Sequence, residues 1–170
     1  QTSEGGWSWY PGMKASPYIT SQIAILLARA NRPSTAYPLD GSLLQAAMKF
    51  LDKEMTNRMA ECKQKKLQPY VGETEINYLY LCHLLDNKET PTIRYWRNQM
   101  GKDDVYAYTM YGKAVQAQIL TETKYKELAK TALQSVIEHT VASPEMGRYF
   151  DTQRALSGYA SYRIPTQVMT

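Results

Sequence analysis

Charge is distributed along this chain in alternating blocks. Residues 17–30, PYITSQIAILLARA, place apolar side chains at 19, 23, 26, 27 and 30, the spacing of a helix face. Ile25 and Ala28 add a second apolar face, and Arg29 is the one charge. Such a helix is expected to be buried on most sides. Ser16 is placed to cap it, and Pro17 suits its first position. Residues 41–64 contrast with this. Leu44, Ala47, Met48, Leu51, Met55 and Cys62 form one stripe, while Lys49, Asp52, Lys53, Arg58 and Glu61 fill the rest. That pattern predicts an amphipathic surface helix, capped by Asp40. The alternation then repeats. Residues 73–86 carry acidic groups only at their ends, and residues 91–100 open on a Thr90–Pro91 cap signal and carry Arg94 and Arg97. Residues 104–121 have a single internal charge at Lys113. Residues 124–139 show a stripe at Tyr125, Leu128, Ala129, Ala132, Leu133, Val136 and Ile137.

Three sparsely charged helices alternating with three richly charged ones predict an all-α fold in two layers. The sparse helices form an inner layer and the amphipathic ones an outer layer. Side by side, such antiparallel hairpins give a partial α/α toroid of about three hairpins, half of a six-hairpin ring. Residues 1–170 read as one helical domain, an excised part of a larger toroid. The closing stretch RIPTQVMT resembles PYITSQIA and is expected to open a fourth inner helix. Half a ring leaves the flanks of its terminal hairpins bare, so dimers through those flanks are expected. The apolar run from Ile23 to Ala28 is too short to span a bilayer.

Composition adds little beyond this. The net charge is +4, from 20 basic and 16 acidic residues. The basic cluster Lys63–Lys66 falls at a helix C-terminus, where cations offset the dipole, so no nucleic-acid partner is expected. Cys62 and Cys82 form no CxxC pair and read as free thiols. Fourteen tyrosines against two phenylalanines suit half-wet surfaces.

The chemistry-bearing residues gather at one predicted end of the array. GGWSWYPG, residues 5–12, suits neither a helix nor an interior strand. Every inner helix of such an array begins at the same rim. Trp7, Trp9 and Tyr10 are expected there, with Glu73, Glu75, Asp103, Asp104, Tyr149 and Phe150. Carboxylates there would stabilise helix N-termini, and the tryptophans would wedge the first hairpin against its neighbour. The functional alternative is a binding rim of aromatic platforms beside acidic groups.

The segment GGWSWYPGMKASPYITSQIAILLARA resembles the stretch GGW-x-W-x-x-G … S-x-Y-x-T-x-x-x-L that opens a hairpin in the α/α-toroid thioester domain of bacterial alpha-2-macroglobulin-like proteins. The resemblance covers roughly residues 4–32; beyond it only the hairpin organisation agrees, with Thr166 near the start of the last helix. It implies a secreted, periplasmic or cell-envelope protein that traps proteases, partnered by those proteases and by other domains of its own chain. Trapping members of that family carry Cys-x-x-Gln, whose side chains join in a reactive thioester. Here Cys62 opens CKQK and Cys82 opens CHLL, so neither supplies the motif.

Other chemistries fit less well. His83 and His139 are far apart, with no HExxH, so no metal and no cofactor is expected. DDVYA at 103–107 lacks the third aspartate of a diphosphate-binding motif. A glycosidase needs two positioned carboxylates, which Glu73, Glu75, Asp103 and Asp104 could supply. The expected role is therefore non-enzymatic: scaffold and contact surface of a protease-trapping protein. A carbohydrate-active toroid enzyme or glycan-binding module using the rim is the alternative.

Overall fold

The computed structural model describes residues 1–31, 41–145 and 147–150. Asp40, Thr166 and the expected helix at 163–170 lie outside the described residues. The fold is helical, as the charge pattern requires. The elements are α1 (Pro17–Ala30), α2 (Gly41–Lys65), α3 (Glu73–Leu84), α4 (Pro91–Met100), a 3₁₀ turn (Val105–Ala107), α5 (Met110–Leu120), α6 (Lys126–Glu138), β1 (Thr140–Ser143) and β2 (Gly147–Phe150). No helix among the described residues is long and apolar enough to cross a membrane. The chain divides into two compact units, Gln1–Gln99 and a second beginning at Met100.

In the first unit α1 packs on both α2 and α3. Local chemistry sets the helix starts. Ser16 Oγ accepts from the Ile19 amide at 3.4 Å, and Pro17 takes the first helical position, where its missing N–H costs nothing. At α4 the Thr90 hydroxyl accepts from the Ile93 amide at 3.2 Å. Helix α3 is the most enclosed, with every residue from Glu75 to Cys82 buried. Helix α2 buries the expected stripe Leu44, Ala47, Met48, Leu51 and Met55, with Phe50 beside it, and leaves Cys62 half-buried. Helix α1 is covered less than its composition predicts: Leu26 is 66% exposed and Ile23 is half-buried. Within its unit α1 is packed against α2 and α3, so the contacts explain the burial of Thr20, Ser21, Ala24 and Ile25 and no more.

Side-chain bonds tie α3 and α4 to α2. Tyr78 of α3 donates its hydroxyl to Asp52 Oδ1 at 2.6 Å. The Trp96 indole of α4, fully buried, donates to the Met55 carbonyl at 3.1 Å, and the Thr56 and Thr92 hydroxyls share a bond of 2.9 Å.

In the second unit α5 packs against α6. The expected helix over 104–121 is broken. Asp104 Oδ1 accepts from the Tyr106 amide at 3.0 Å and starts the short 3₁₀ turn. The chain then extends through Tyr108 and Thr109, whose hydroxyl caps α5 by accepting from the Gly112 amide at 3.2 Å. Two side-chain caps within six residues compete with a continuous helix and win locally. Val105, Ala117 and Ala132, with Leu128 against them, form the small core of this unit. Leu133 and Ile137, expected in the buried stripe of α6, are exposed. A two-stranded antiparallel hairpin follows, pairing Thr140 with Phe150 and Val141 with Tyr149. Its turn ends at Gly147, whose φ of +71° favours glycine.

Lys113 is buried on α5 and donates to Ser135 Oγ of α6 at 2.9 Å. Burial holds its ammonium below the ordinary lysine range, with the Asp104 charge opposing that and the Tyr106 ring 5.5 Å away. The folded state therefore releases this proton at lower pH than the unfolded state does. Stability must rise with pH through the window below the ordinary lysine value of 10.5. Lys113→Met should flatten that rise, read as melting temperature against pH.

Candidate functional site

The opening aromatic segment is built on close backbone approach. Gly5 adopts φ +90°, and a Cβ there would stand 2.6 Å from the Ala46 carbonyl oxygen of α2. At Gly6 a Cβ would meet Ala15 at 2.7 Å and both Phe50 and Thr20 at 2.9 Å. Only glycine lets the chain pass this near α2. The turn is closed by the Thr2 amide donating to the Gly6 carbonyl at 2.7 Å and by Gln1 Nε2 donating to the Gly5 carbonyl at 2.6 Å. Trp7 is then fixed to α1. Its amide donates to Thr20 Oγ1 at 2.8 Å, and its carbonyl accepts from the Ser16 amide at 2.8 Å.

Beyond Trp7 the aromatics turn outward. Trp9 is 60% exposed and lies nearly parallel to Tyr18, with ring centroids 6.1 Å apart and 16° between planes. Tyr10 is 70% exposed. Tyr18, with Ser16 and Pro17, walls a solvent-open cavity of about 390 Å³. Glu54, Asn57, Arg58 and Glu61 of α2 form the facing wall, and Thr74 of α3 contributes from the side.

The cavity wall is anchored by an ion pair. Glu75 is 1% exposed, and its Oε1 accepts from Arg58 Nη1. Its Oε2 accepts from the Gly72 amide at 2.9 Å, which caps α3 from within. Burial pushes the Glu75 carboxyl above the usual carboxylate range, and Arg58 and the two backbone amides of Gly72 and Glu75 pull the other way. Arg58 also lies over the Trp96 ring, 5.9 Å from its centroid.

The other expected site residues have local partners. Glu73 accepts from Gln22 Nε2 at 3.1 Å, across from α3 to α1. In the second unit Asp103 Oδ2 accepts from the Tyr108 hydroxyl at 2.6 Å, while Asp104 caps the 3₁₀ turn. Tyr149 sits half-buried on β2 opposite Val141 and, with Phe150, Leu133 and Ile137, lines a second cavity of about 370 Å³. In the first unit the structure thus joins Trp9 to Tyr18, and sets Glu73 and Glu75 at the start of α3. Tyr18, Glu54, Asn57, Arg58 and Glu61 do not stand out along the sequence as one surface. Their spacing held the signal: positions 54, 57, 58 and 61 share one helix face.

The buried Cys82 is not set up as a nucleophile. Both cysteines are free, and burial, followed by the Asp52 charge, pushes the Cys82 thiol up to about 12. A thiol held protonated is a poor nucleophile. Among the described residues, no group of three or more His, Cys, Asp or Glu is placed to hold a metal ion. No protein family, curated protein or solved structure matches this chain at a significant level.

Gly5→Ala should destabilise the first unit by about 1–3 kcal/mol, the scale of a strained backbone position, measured by denaturant unfolding. Arg58→Ala leaves the Glu75 carboxylate buried without its cation. The expected loss is about 2 kcal/mol, less than for a fully buried pair because Arg58 stays partly in water. In that variant the folded state holds the Glu75 proton to higher pH than the unfolded state does. Its stability should fall as pH rises above the usual carboxylate range, and adding Glu75→Gln should remove that slope.

Proposed function

We propose that this chain is a scaffold and contact part of the thioester-type helical domain of an alpha-2-macroglobulin-like, protease-trapping protein. It is non-enzymatic, works outside the cytoplasm or in the cell envelope, and continues an α/α toroid with further hairpins. The reading rests on the motif of residues 5–20, each part of which has a structural task. Gly5 and Gly6 permit the close turn against α2. Ser16 caps α1, Tyr18 stacks on Trp9, and Thr20 locks Trp7. A signature whose residues brace one another marks a scaffold element of a fold rather than a reactive centre. The partners that follow are proteases, reached through the larger protein, and neighbouring domains of the same chain. A second copy meeting the exposed Leu133 and Ile137 flank would be a further partner.

An enzymatic carbohydrate reading has less support. Glu75 is committed to Arg58, Asp103 to Tyr108 and Asp104 to the start of the 3₁₀ turn. The protein that carries this chain should inhibit endopeptidases of a mixed panel, or change its native-gel mobility when they cleave it. Failure to do either with every member of the panel would refute the function.

A further inference from the structure

The cavity beside α1 and α2 has a composition that selects among ligands. One wall is aromatic: Tyr18 lines it, and its ring is braced by Trp9, which stacks nearly parallel on it from outside the lining. The other wall is a polar stripe of α2 that mixes acceptors, donors and an amide: Glu54, Asn57 and Arg58. The Arg58 fork is preset, since one of its nitrogens is held by Glu75 and its plane lies over Trp96. A guanidinium carries five N–H donors, so donors remain for a ligand.

Charge and polarity exclude the simpler occupants. An anion would meet Glu54 and Glu61, and a metal cation would find no converging set of three or more ligands among the described residues. A purely apolar group would strip water from Glu54, Asn57 and Arg58 without replacing its hydrogen bonds, which is unfavourable. A neutral polyhydroxylated ring satisfies all of these walls at once. Its hydroxyls donate and accept around the edge, and its C–H face lies against the Tyr18 ring. The volume of about 390 Å³ falls within the range of small-ligand sites.

We propose that this cavity is a carbohydrate-binding subsite, taking one sugar unit of a neutral glycan between the Tyr18 ring, which Trp9 braces, and the α2 stripe of Glu54, Asn57 and Arg58. The site binds without cleaving. Glu61 is held by Lys65 at 2.6 Å, so Glu54 and Glu61 are not both at hand for the paired carboxylate chemistry of a glycosidase. Binding of this kind does not depend on protease trapping, and either can fail without the other.

The test is titration of the 170-residue chain with neutral hexasaccharides of glucose, xylose, mannose, galactose and N-acetylglucosamine. Calorimetry and tryptophan fluorescence supply the readouts. At least one probe should bind saturably and change the fluorescence. Trp9→Ala, which removes the ring that braces Tyr18, should weaken that binding by about tenfold, the scale of one lost aromatic pair, and remove the fluorescence change. Should Trp9→Ala disturb the fold, judged by circular dichroism, Asn57→Ala replaces it as the deciding variant, being exposed on the middle of α2. Asn57→Ala should also weaken binding. No saturable binding by any probe overturns the proposal. So does an affinity unchanged in the folded variant.

Discussion

A carboxylate removed from water must find a cation or keep its proton, and in the first unit Glu75 has found Arg58. Much else is arranged around that pair. Glu75 occupies the first turn of α3, where its second oxygen takes the Gly72 amide, so one side chain both starts the helix and ties it to α2. Arg58 in turn lies over Trp96, the largest fully buried side chain, whose indole is bonded to the carbonyl of Met55 one turn away on α2. Three helices thus meet through one charge. Oily side chains alone would let α2 slide along α3; an ion pair with one buried partner fixes the register, because a shift of one residue would strand the Glu75 charge.

The other end of α2 is fixed by the opposite means, the absence of side chains. Gly5 and Gly6 bring the backbone against Ala46 and Phe50, and Thr20 then clamps Trp7 to α1. The tryptophans divide their work by this geometry. Trp7, held by backbone bonds at both its amide and its carbonyl, stays half-buried as a wedge, whereas Trp9 is released two residues later onto the face of Tyr18. A costly aromatic segment in a turn is explained once its first half is read as packing and its second half as surface.

The helices were legible because their determinants are local. The cap at Ser16, the proline at 17 and the Thr90–Pro91 signal placed α1 and α4 at the residues observed. The stripe of α2 was legible for the same reason. What local pattern cannot carry is the partner. Glu75 read as a rim carboxylate because nothing in its own helix reveals Arg58, seventeen residues back on another. The break before α5 was missed because Asp104 and Thr109 look like ordinary polar positions until their hydrogen bonds to Tyr106 and Gly112 are drawn. The hairpin of β1 and β2 was missed because four-residue strands hold too few alternations to register, and Gly147 gave the only hint of a turn. Helix α1 errs in the other direction. Its composition predicts burial that its neighbours α2 and α3 do not supply, since Leu26 faces solvent.

The same division explains why the chemistry moved away from the carboxylates that the sequence put forward. An acidic residue at a helix start is electrostatically useful there, so it is readily taken up by a cap, a tyrosine or a cation, as Asp104, Asp103 and Glu75 are. Groups in the middle of a helix have no terminus to cap. Glu54, Asn57 and Arg58 line the cavity from α2, while Asp52, Thr56 and again Arg58 make contacts that hold the helix in place. Arg58 belongs to both sets, which couples the site to the scaffold: the ion pair that fixes α3 also orients the donor that faces the cavity. A ligand bound there would find its most directional partner already immobilised, so less ordering entropy is lost on binding.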